Sequence, residues 1–472
     1  MFYITHYIYT THMIEEGMQT SLWEVYGLKG NPYSTNPLLK EGGFLPIEEA
    51  FVGREQEKVT LLKFMDDEQG CLFVCGNVGV GKTSLLNLHK HRCKQKKDPV
   101  FSARKEIDMH VDLLNRKMFL LELISSLYGE VKLLDQDIVH SDDFMKKTAM
   151  LVDFTSKIAI NDGWNFNIGL VSAGTNVEQS GKELPNQLTD TYVQQYFRDF
   201  ISWICEHSIG GKEYKKVLIH VNNFDVVLQE EEARVKSFLN EIRDILQTPH
   251  IFFSFLGPQD FYRKTVVGNP RLQSVCYHEP LFLDSLKKRE LVEALEKRYE
   301  LLRIDGDINV IEPLTEQAIH RFHDIYQGDI RSILRACSQV INALRSTNSS
   351  PLDADSALTL LYRIKSEELE RKGIVGEKRT VLSQLIAHPE GVSQKEVAIA
   401  TGKSPSNISG FYFKEFLDKG IIEEYADEQA PAKRKWKLRP EFAPLYSEKE
   451  LQKSVHRTQD KYQEASEQLT MF

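Results

Sequence analysis

The eight residues from Gly76 to Thr83 constrain the fold of this chain more than any other feature. Their sequence, Gly-Asn-Val-Gly-Val-Gly-Lys-Thr, fits the pattern G-x-x-x-x-G-K-[ST] at every required position. A short apolar run at 71–75 precedes them and is typical of a buried strand, and the residues from Ser84 onwards open a helix. Glycines allow a tight turn whose backbone N–H groups surround phosphate oxygens, and the helix N-terminus adds positive potential. The pattern therefore predicts a strand, a phosphate-binding loop and a helix in a chain that binds a nucleoside triphosphate.

The residues of this loop are assigned as nucleotide ligands. Lys82 is expected to reach the β- and γ-phosphates, and the Thr83 hydroxyl is expected to hold Mg²⁺. The predicted nucleotide contacts are Gly76, Asn77, Val78, Gly79, Val80, Gly81, Lys82, Thr83 and Ser84. ATP or ADP with Mg²⁺ is thus the expected cofactor.

Length and charge limit the remaining possibilities. A chain of 472 residues should form two or three domains. Its net charge of −9 argues against a protein coated with nucleic acid, so any DNA binding must come from a local basic patch. No apolar run approaches the roughly 20 residues needed to span a bilayer, and the N-terminus lacks the basic region of a signal peptide. Six scattered cysteines without zinc-ligand spacing suit reduced thiols, and a cytoplasmic location, with association to the nucleoid as an option, is expected.

Alternating strand and helix patterns follow the loop as far as about residue 284. Apolar strands at 217–221 and 251–256 follow helical patterns at 192–207 and 231–246. This alternation predicts a parallel α/β sheet that binds its ligand at the carboxyl ends of the strands. An insertion at about 150–190, with partial alternation and glycines from Trp164, predicts a β-hairpin. Packing and contact with DNA or a partner are equally compatible with this hairpin.

The rest of the chain predicts two smaller domains. Helical periodicity at 285–372 indicates an all-α lid domain. Between 376 and 440, a capping box at Ser393 and Glu396, a helix start at Ser404-Pro405 and two strands at 421–425 and 434–438 predict a winged helix-turn-helix. The predicted division is an N-terminal extension (1–30), an α/β nucleotide-binding domain (31–284), the lid (285–372), the winged helix (376–440) and a tail (441–472).

The order of several motifs points to a family. They are Asn31-Pro32-Tyr33, Val52-Gly53-Arg54-Glu55, the phosphate loop, Asn222-Asn223-Phe224-Asp225 after an apolar strand, Gly328-Asp329-Ile330-Arg331, and the winged helix. Over about residues 30–440 the chain resembles AAA+ ATPases of the archaeal and eukaryotic origin-recognition initiator type and related STAND-like prokaryotic ATPases. The resemblance implies that Val52 and Gly53 lie against the adenine. It also implies that Arg331 reaches from the lid to the γ-phosphate as the sensor-2 arginine, whose guanidinium suits phosphate oxygens. The alternative for Arg331 is a surface arginine on a lid helix.

The chain departs from the family pattern at Asn222-Asn223. The family usually has Asp-Glu here, where the Asp belongs to the Mg²⁺ shell and the Glu polarises the attacking water. Asn222 can still accept a hydrogen bond from a Mg²⁺-bound water, but neither asparagine carries a charge or acts as a base. Asp225 is the next carboxylate along the chain. The pattern predicts ATP binding with slow hydrolysis, since losing a general base typically costs about 10²–10⁴-fold in rate. The alternative is that Asp225 or a residue elsewhere suffices.

Two further catalytic positions follow from the resemblance. Ser254, near the end of the strand at 251–256, is the expected sensor-1 residue that contacts the γ-phosphate. Arg271, or alternatively Arg263, lies where the family places an arginine finger that completes a neighbouring subunit's site. A salt-bridged structural arginine is the alternative for each.

A set of polar residues in the winged helix is expected to contact DNA. The third helix supplies short polar groups and a cation, and the wing supplies cations in alternation with the inward-facing Trp436 and Leu438. The predicted DNA contacts are Ser406, Asn407, Ser409, Tyr412 and Lys414 on the helix, and Lys433, Arg434, Lys435 and Lys437 on the wing. Between residues 376 and 440 there are eleven Lys and Arg against nine Asp and Glu, so the positive charge is local. The alternative is a winged helix that packs on protein.

Two functions follow as expectations. The first is an ATP-binding AAA+ protein, initiator-like or loader-like, whose nucleotide state controls DNA binding and oligomeric assembly. The second is a STAND-like signalling switch whose winged helix contacts protein, with a partner protein as the trigger. The degenerate Asn222-Asn223 motif favours the slow switch, and the wing cations favour the DNA-binding protein. A fast motor or a metabolic kinase is disfavoured because no catalytic carboxylate directly follows the apolar strand.

Overall fold

The chain divides into two units, one built on a sheet and one built from helices. The computed structural model describes residues 21–36, 38, 45–161, 188–277, 279–305, 310–344, 350–427 and 430–447. The sheet unit comprises Pro37–Asp284, and the helical unit combines Met1–Asn36 with Ser285–Phe472. This grouping differs from the predicted boundary at residue 31, because Asn31-Pro32-Tyr33 pack with the later helices. Within the described segments, no helix is both long and apolar enough to cross a membrane.

A parallel sheet of six strands forms the centre of the sheet unit. The strands of this sheet are β1 (Gly70–Gly76), β2 (Val100–Phe101), β3 (Ile107–Asp108), β6 (Lys216–Asn222), β7 (Ile251–Gly257) and β8 (Leu281–Leu283), and a separate small ribbon joins β4 (Ser208–Ile209) to β5 (Lys212–Glu213). The strand order is β2-β6-β7-β1-β8, and β3 also pairs with β6. Every pairing within the six-stranded sheet is parallel. The α/β parallel-sheet prediction is therefore confirmed.

Helices cover both faces of this sheet. They are α1 (Ile47–Ala50), α2 (Glu55–Phe64), α3 (Lys82–Gln95), α4 (Arg116–Leu134), α5 (Gln136–Ser141), α6 (Asp143–Asn161), α7 (Asp190–Glu206), α8 (Phe224–Glu241), α9 (Arg243–Leu246), α10 (Phe261–Thr265) and α11 (Pro270–Gln273). Alternate strand residues enter two separate cores, with Phe73 and Phe253 in one and Leu72 and Leu218 in the other. Burial on both faces explains why the strands are apolar throughout rather than alternating. Part of the insertion predicted at about 150–190 is the end of α6, and the hairpin predicted from Trp164 lies outside the described residues.

The strand register brings the carboxyl ends of several strands to one edge of the sheet. Asp108 of β3 pairs with Asn222 of β6, and Gly76 of β1 pairs with Leu283 of β8. Because the strands are parallel, the phosphate loop after β1 and the Asn222-Asn223 turn after β6 emerge at the same edge. This edge is where a ligand of such a sheet binds.

The helical unit begins with a bundle that includes an N-terminal segment. Its helices are α12 (Lys288–Leu302), α13 (Glu316–Ile325), α14 (Ile330–Asn342) and α15 (Ala354–Arg371). Tyr33 is fully buried, and its hydroxyl lies 2.7 Å from the Tyr299 hydroxyl on α12. The Arg298 guanidinium donates to the backbone oxygens of Pro32 and Ser34 at 2.9 and 3.0 Å. These contacts give the Asn-Pro-Tyr motif a structural role in the helical unit.

The last part of the helical unit, residues 377–447, is called here the C-terminal module. It contains α16 (Glu377–Ile386), α17 (Gln394–Thr401), α18 (Pro405–Asn407), a π-helix (Ile408–Phe413), α19 (Lys414–Asp418) and an antiparallel pair, β9 (Ile422–Asp427) and β10 (Ala430–Leu438), followed by a 3₁₀-helix (Pro440–Ser447). Trp436 and Leu438 of β10 pack into a core with Ile408 and Phe413, as their alternation predicts. The capping box of Ser393 and Glu396 is present. A single helical stretch thus runs from Pro405 to Asp418, interrupted by the π-helix.

Candidate nucleotide site

The phosphate loop joins a fully buried strand to a helix that begins without a side-chain cap. Gly76 ends β1, and a Cβ at this position would lie 2.7 Å from the backbone oxygen of Leu283. Gly81 occupies the N-cap position of α3 with φ of +94°, and an added Cβ there would meet nothing within 4 Å. Since glycine has no side chain to accept from the first-turn N–H groups, these donors face the loop. The site is an opening for an anion at the start of a 14-residue helix.

Lys82 is held at the base of this loop. Its side chain is 8% exposed, and its ammonium donates to the backbone oxygens of Gly76 at 2.6 Å and Asn77 at 3.0 Å. The same nitrogen lies 3.8 Å from Asp225 Oδ2, in the first turn of α8. An ammonium fixed at the helix start is well placed to meet phosphate oxygens. The donors at this loop, which are backbone amides, an ammonium and the half-buried Thr83 hydroxyl, fit a triphosphate with its Mg²⁺.

Arg54 is a positioning residue that the sequence analysis did not identify. Its side chain is 9% exposed, and Nη2 donates to the backbone oxygens of Val80, at 3.2 Å, and of Asp284. Nη1 pairs with Glu57 at 3.0 Å. Gly53 and Arg54 both have positive φ, which turns the chain sharply before α2. Val52 and Gly53 are half-buried at this turn, and their contact with adenine stays a prediction.

The two asparagines at the carboxyl end of β6 each hold a carboxylate, one from β3 and one from the residue just before β3. Asn223 Nδ2 donates to Asp108 Oδ1 at 2.8 Å, and Asn222 Nδ2 donates to Glu106 Oε2 at 3.1 Å. Asn223 has φ of +65° and occupies the N-cap position of α8. Asn222 and Asn223 are not acidic themselves, but Asp108 of β3 and the preceding Glu106 place carboxylates beside them. No local sequence signal indicates this pairing, because the partners are 115 and 116 residues apart.

Burial perturbs the acids at this edge. The pKa of Glu106 is raised mainly by burial, against a smaller opposing effect of Lys90. Burial, and then the charge of Asp108, raises the pKa of Glu122 on α4 to about 7. Carboxyl groups with raised pKa values are common at functional sites, where they exchange protons near neutral pH.

Ser254 does not lie where the prediction placed it, and the positions of Arg263 and Arg271 leave their predicted role untested. Ser254 lies at the centre of β7 rather than at its end, is fully buried, and pairs with His220 and Leu72. The strand continues for three more residues to Gly257, so a γ-phosphate contact from Ser254 is not supported. Arg263 and Arg271 are exposed, and neither forms an ion pair within the described part of the chain. The structural alternative, a salt-bridged arginine, is thus not observed, and the finger role stays a prediction.

Arg331 lies in the helical unit at the start of α14. Asp329 caps this helix by accepting from the backbone N–H groups of Arg331 and Ser332. Gly328 has φ of +76°, and a Cβ there would lie 2.5 Å from the Ser285 Cβ. Helix initiation therefore accounts for the Gly and the Asp of this motif, while the Arg331 side chain is exposed. Its sensor-2 role stays a prediction.

The predicted DNA contacts of the C-terminal module fall into two groups. Ser406, Asn407 and Lys414 are exposed, and Ser409 is half-buried with its hydroxyl bonded to Pro405 O. Tyr412 requires a correction, because it is 3% exposed and its hydroxyl donates to Glu377 Oε2 at 2.9 Å. The π-helix changes the helical period at this point and turns Tyr412 inward.

The wing cations are partly neutralised by acids on the opposite strand. Arg434 pairs with Glu424, and Lys437 lies 3.2 Å from Glu423 and over the Tyr425 ring. Lys435 is half-buried, and Lys433 falls outside the side chains that the structure describes. Direct pairing across the strands lowers the positive charge that the sequence alone suggested.

Comparisons with known proteins give distant similarities. No protein-family model matches the chain. An uncharacterized HTH-type transcriptional regulator of Methanocaldococcus jannaschii is 23% identical over 329 residues, which cover 67% of this chain and 68% of that protein. The identity is too low to assign a family.

Solved structures with similar folds are also distant. The Aeropyrum pernix ORC1 protein in complex with DNA has a TM-score of 0.44 at 12% identity, covering 87% of this chain and 96% of that chain. The Aeropyrum pernix ORC2 protein has a TM-score of 0.42 at 13% identity, covering 90% and 98%. The Thermotoga maritima RuvB Holliday junction branch migration motor has a TM-score of 0.37 at 12% identity, covering 82% and 93%.

Proposed function

We propose that this chain is an ATP-binding AAA+ protein that uses its nucleotide state to control DNA binding and assembly. The observation that carries the proposal is the phosphate loop, where Lys82 is anchored beneath an uncapped helix start. The triphosphate would lie against the N–H groups of the loop and of Lys82, Thr83 and Ser84. Mg²⁺, held through the Thr83 hydroxyl, would neutralise phosphate charge.

Slow hydrolysis belongs to the same proposal. Asn222 and Asn223 occupy the positions where the resembled family carries its acids, and amides do not act as bases. The Asp225 carboxylate forms an ion pair with the Lys82 ammonium, at a distance of 3.8 Å. A chain that keeps ATP for long periods suits control by nucleotide state better than rapid turnover.

The C-terminal module is proposed as a winged helix that contacts DNA. Its three helical segments and two-stranded hairpin have the order of that motif. Ser406, Asn407 and Lys414 are exposed on the third helical segment, which would enter the major groove. The name of the Methanocaldococcus jannaschii relative, an HTH-type transcriptional regulator, is consistent with a DNA-binding role.

A second candidate function is a STAND-like signalling switch whose module contacts protein. The pairing of Arg434 with Glu424 and of Lys437 with Glu423 favours it, because paired charges bind phosphates less strongly. In that case a partner protein, rather than DNA, would respond to nucleotide state.

The test combines nucleotide and DNA binding in the full chain. Lys82→Ala should weaken ATP binding by at least about 100-fold, since a charge-assisted contact to phosphate is lost. Lys97→Ala, an exposed lysine just beyond the same helix, is the matched control and should bind ATP normally. Unchanged ATP affinity in Lys82→Ala would contradict the loop assignment.

DNA binding is then titrated with ATP, with ADP and without nucleotide, at two salt concentrations. Nucleotide-dependent and salt-sensitive binding that is lost in Lys82→Ala supports the first function. Absence of DNA binding, with nucleotide still changing the sedimentation of the wild-type chain, supports the switch.

A further inference from the structure

The turn after β6 connects the phosphate loop to the neighbouring strand through a few residues. Asp225 lies 3.8 Å from the Lys82 ammonium, and Asn223, two residues earlier, is bonded to Asp108. A backbone hydrogen bond also joins the ends of β3 and β6, because the Met109 N–H donates to Asn222 O at 3.0 Å. Asp108, at the end of β3, is therefore adjacent to residue 223, the position from which a base would act on the nucleotide.

The hydrogen bond between Asn223 and Asp108 has a defined direction. The amide donates through Nδ2 to Asp108 Oδ1 at 2.8 Å, which leaves Asn223 Oδ1 and Asp108 Oδ2 as acceptors for a water. The Asp108 carboxylate therefore lies within hydrogen-bond distance of the Asn223 side chain. Asp108 is exposed at the end of its strand, so a proton that it takes up can return to solvent.

From this geometry we propose that Asp108 is the general base for ATP hydrolysis, with Asn223 as the residue that positions it. The inference rests on the proposed nucleotide function. In the step, the oxygen of a water forms a bond to the γ-phosphorus of ATP, and the bond from that phosphorus to the bridging oxygen breaks. The bridging oxygen leaves with ADP, the γ-phosphoryl group becomes inorganic phosphate, and the proton of the water passes to Asp108 Oδ2.

The main test is Asp108→Asn in the full chain, measured by steady-state ATP turnover. The asparagine keeps an oxygen that accepts from Asn223 Nδ2, so the contact between the strands survives while the base is removed. The value of kcat should fall by about 100-fold or more, and KM and the directly measured ATP affinity should change less than about twofold. This split separates lost chemistry from a loss of structure.

Two further variants make the test specific. Asp112→Asn is the matched control, because it removes an exposed carboxylate four residues beyond Asp108 that pairs with His110, and kcat should stay within about fivefold of wild type. Combining Asp108→Asn with Asn223→Asp returns a carboxylate to the pair from the other strand. It should recover at least about tenfold of the turnover lost in Asp108→Asn.

Several results would overturn the assignment. They are unchanged kcat in Asp108→Asn, an equal loss in Asp112→Asn, or no recovery in the combined variant. Lys82-dependent ATP binding without any turnover in the wild-type chain would also overturn it, while leaving the proposed nucleotide function in place. Absence of nucleotide binding would overturn both.

Discussion

At the scale of single residues, burial sets the proton affinity of one acid near the nucleotide edge. Glu122 on α4 has a pKa raised to about 7, first by burial and then by the charge of Asp108. An acid whose pKa is higher in the folded state binds its proton more tightly when folded. Folding stability therefore falls as the pH rises from the unfolded value near 4.5 to about 7, and the full cost is present above that range.

Glu122→Gln should accordingly stabilise the chain at alkaline pH. The free energy of unfolding should increase by about 1–3 kcal/mol at pH 8 and change little near pH 3, because the carboxyl is protonated there in both states. Denaturant unfolding at the two pH values measures the difference. The exposed Glu206→Gln is the control and should shift stability by less than about 0.5 kcal/mol at either pH. An equal effect of Glu122→Gln at both pH values would contradict the raised pKa.

The residues of the site differ in how far a sequence can predict them. The phosphate loop is contiguous, so Gly76 to Thr83 could be assigned from the pattern alone. Asp108 and Glu106 could not, because their role depends on the pairing of β3 with β6. Arg54 was visible within a motif, but its contact with Val80 O depends on how the chain turns at two residues of positive φ.

At the scale of elements, local signals predicted where helices begin better than which face they present. The caps at Ser393 and Ser404 are confirmed, because a cap involves only neighbouring residues. The inward direction of Tyr412 was missed, since the π-helix at Ile408–Phe413 departs from the period of 3.6 residues that the pattern assumed. Ser254 was misplaced because an unbroken apolar run does not show where a buried strand ends.

Substitutions in the hairpin of the C-terminal module should change DNA affinity in opposite directions, depending on whether a cation or its acidic partner is replaced. Arg434→Glu combined with Lys435→Glu should weaken DNA binding and lower the slope of log affinity against log salt by about 2. Glu424→Gln removes the partner of Arg434 and should do the reverse, strengthening DNA binding and steepening the salt dependence. Fluorescence anisotropy over a salt series measures both. DNA affinity that is unaffected by either variant would exclude the hairpin as a DNA contact.

At the scale of the whole molecule, the helical unit depends on a short segment from the start of the chain. Trp23 packs edge-on against Tyr33, which packs in the same way against Tyr299. Arg298 is half-buried against this segment, and burial lowers the pKa of its guanidinium to about 10. The predicted division placed residues 31–33 in the nucleotide-binding domain, whereas their tertiary contacts lie in the helical unit.

Tyr33→Ala should therefore destabilise the helical unit specifically. Removing a buried aromatic ring typically costs about 3–5 kcal/mol, whereas Tyr33→Phe, the matched control, removes one hydrogen bond for about 1 kcal/mol. Hydrogen exchange followed by mass spectrometry reads the two units separately. Faster exchange is expected in α12 and α14, with the strands of the sheet unit unchanged. Equal acceleration in both units would contradict the grouping of this segment with the later helices.

The division of the helical unit between two distant stretches sets an order of events during synthesis. Tyr33 leaves the ribosome 266 residues before Tyr299, a delay of roughly 15–50 s at ordinary elongation rates. The sheet unit is complete in the nascent chain during that interval and can fold first, whereas Trp23 and Tyr33 wait with their rings unburied. A nascent chain that stalls before Tyr299 is thus expected to carry a folded nucleotide site and an exposed aromatic segment, which is the kind of surface that chaperones bind.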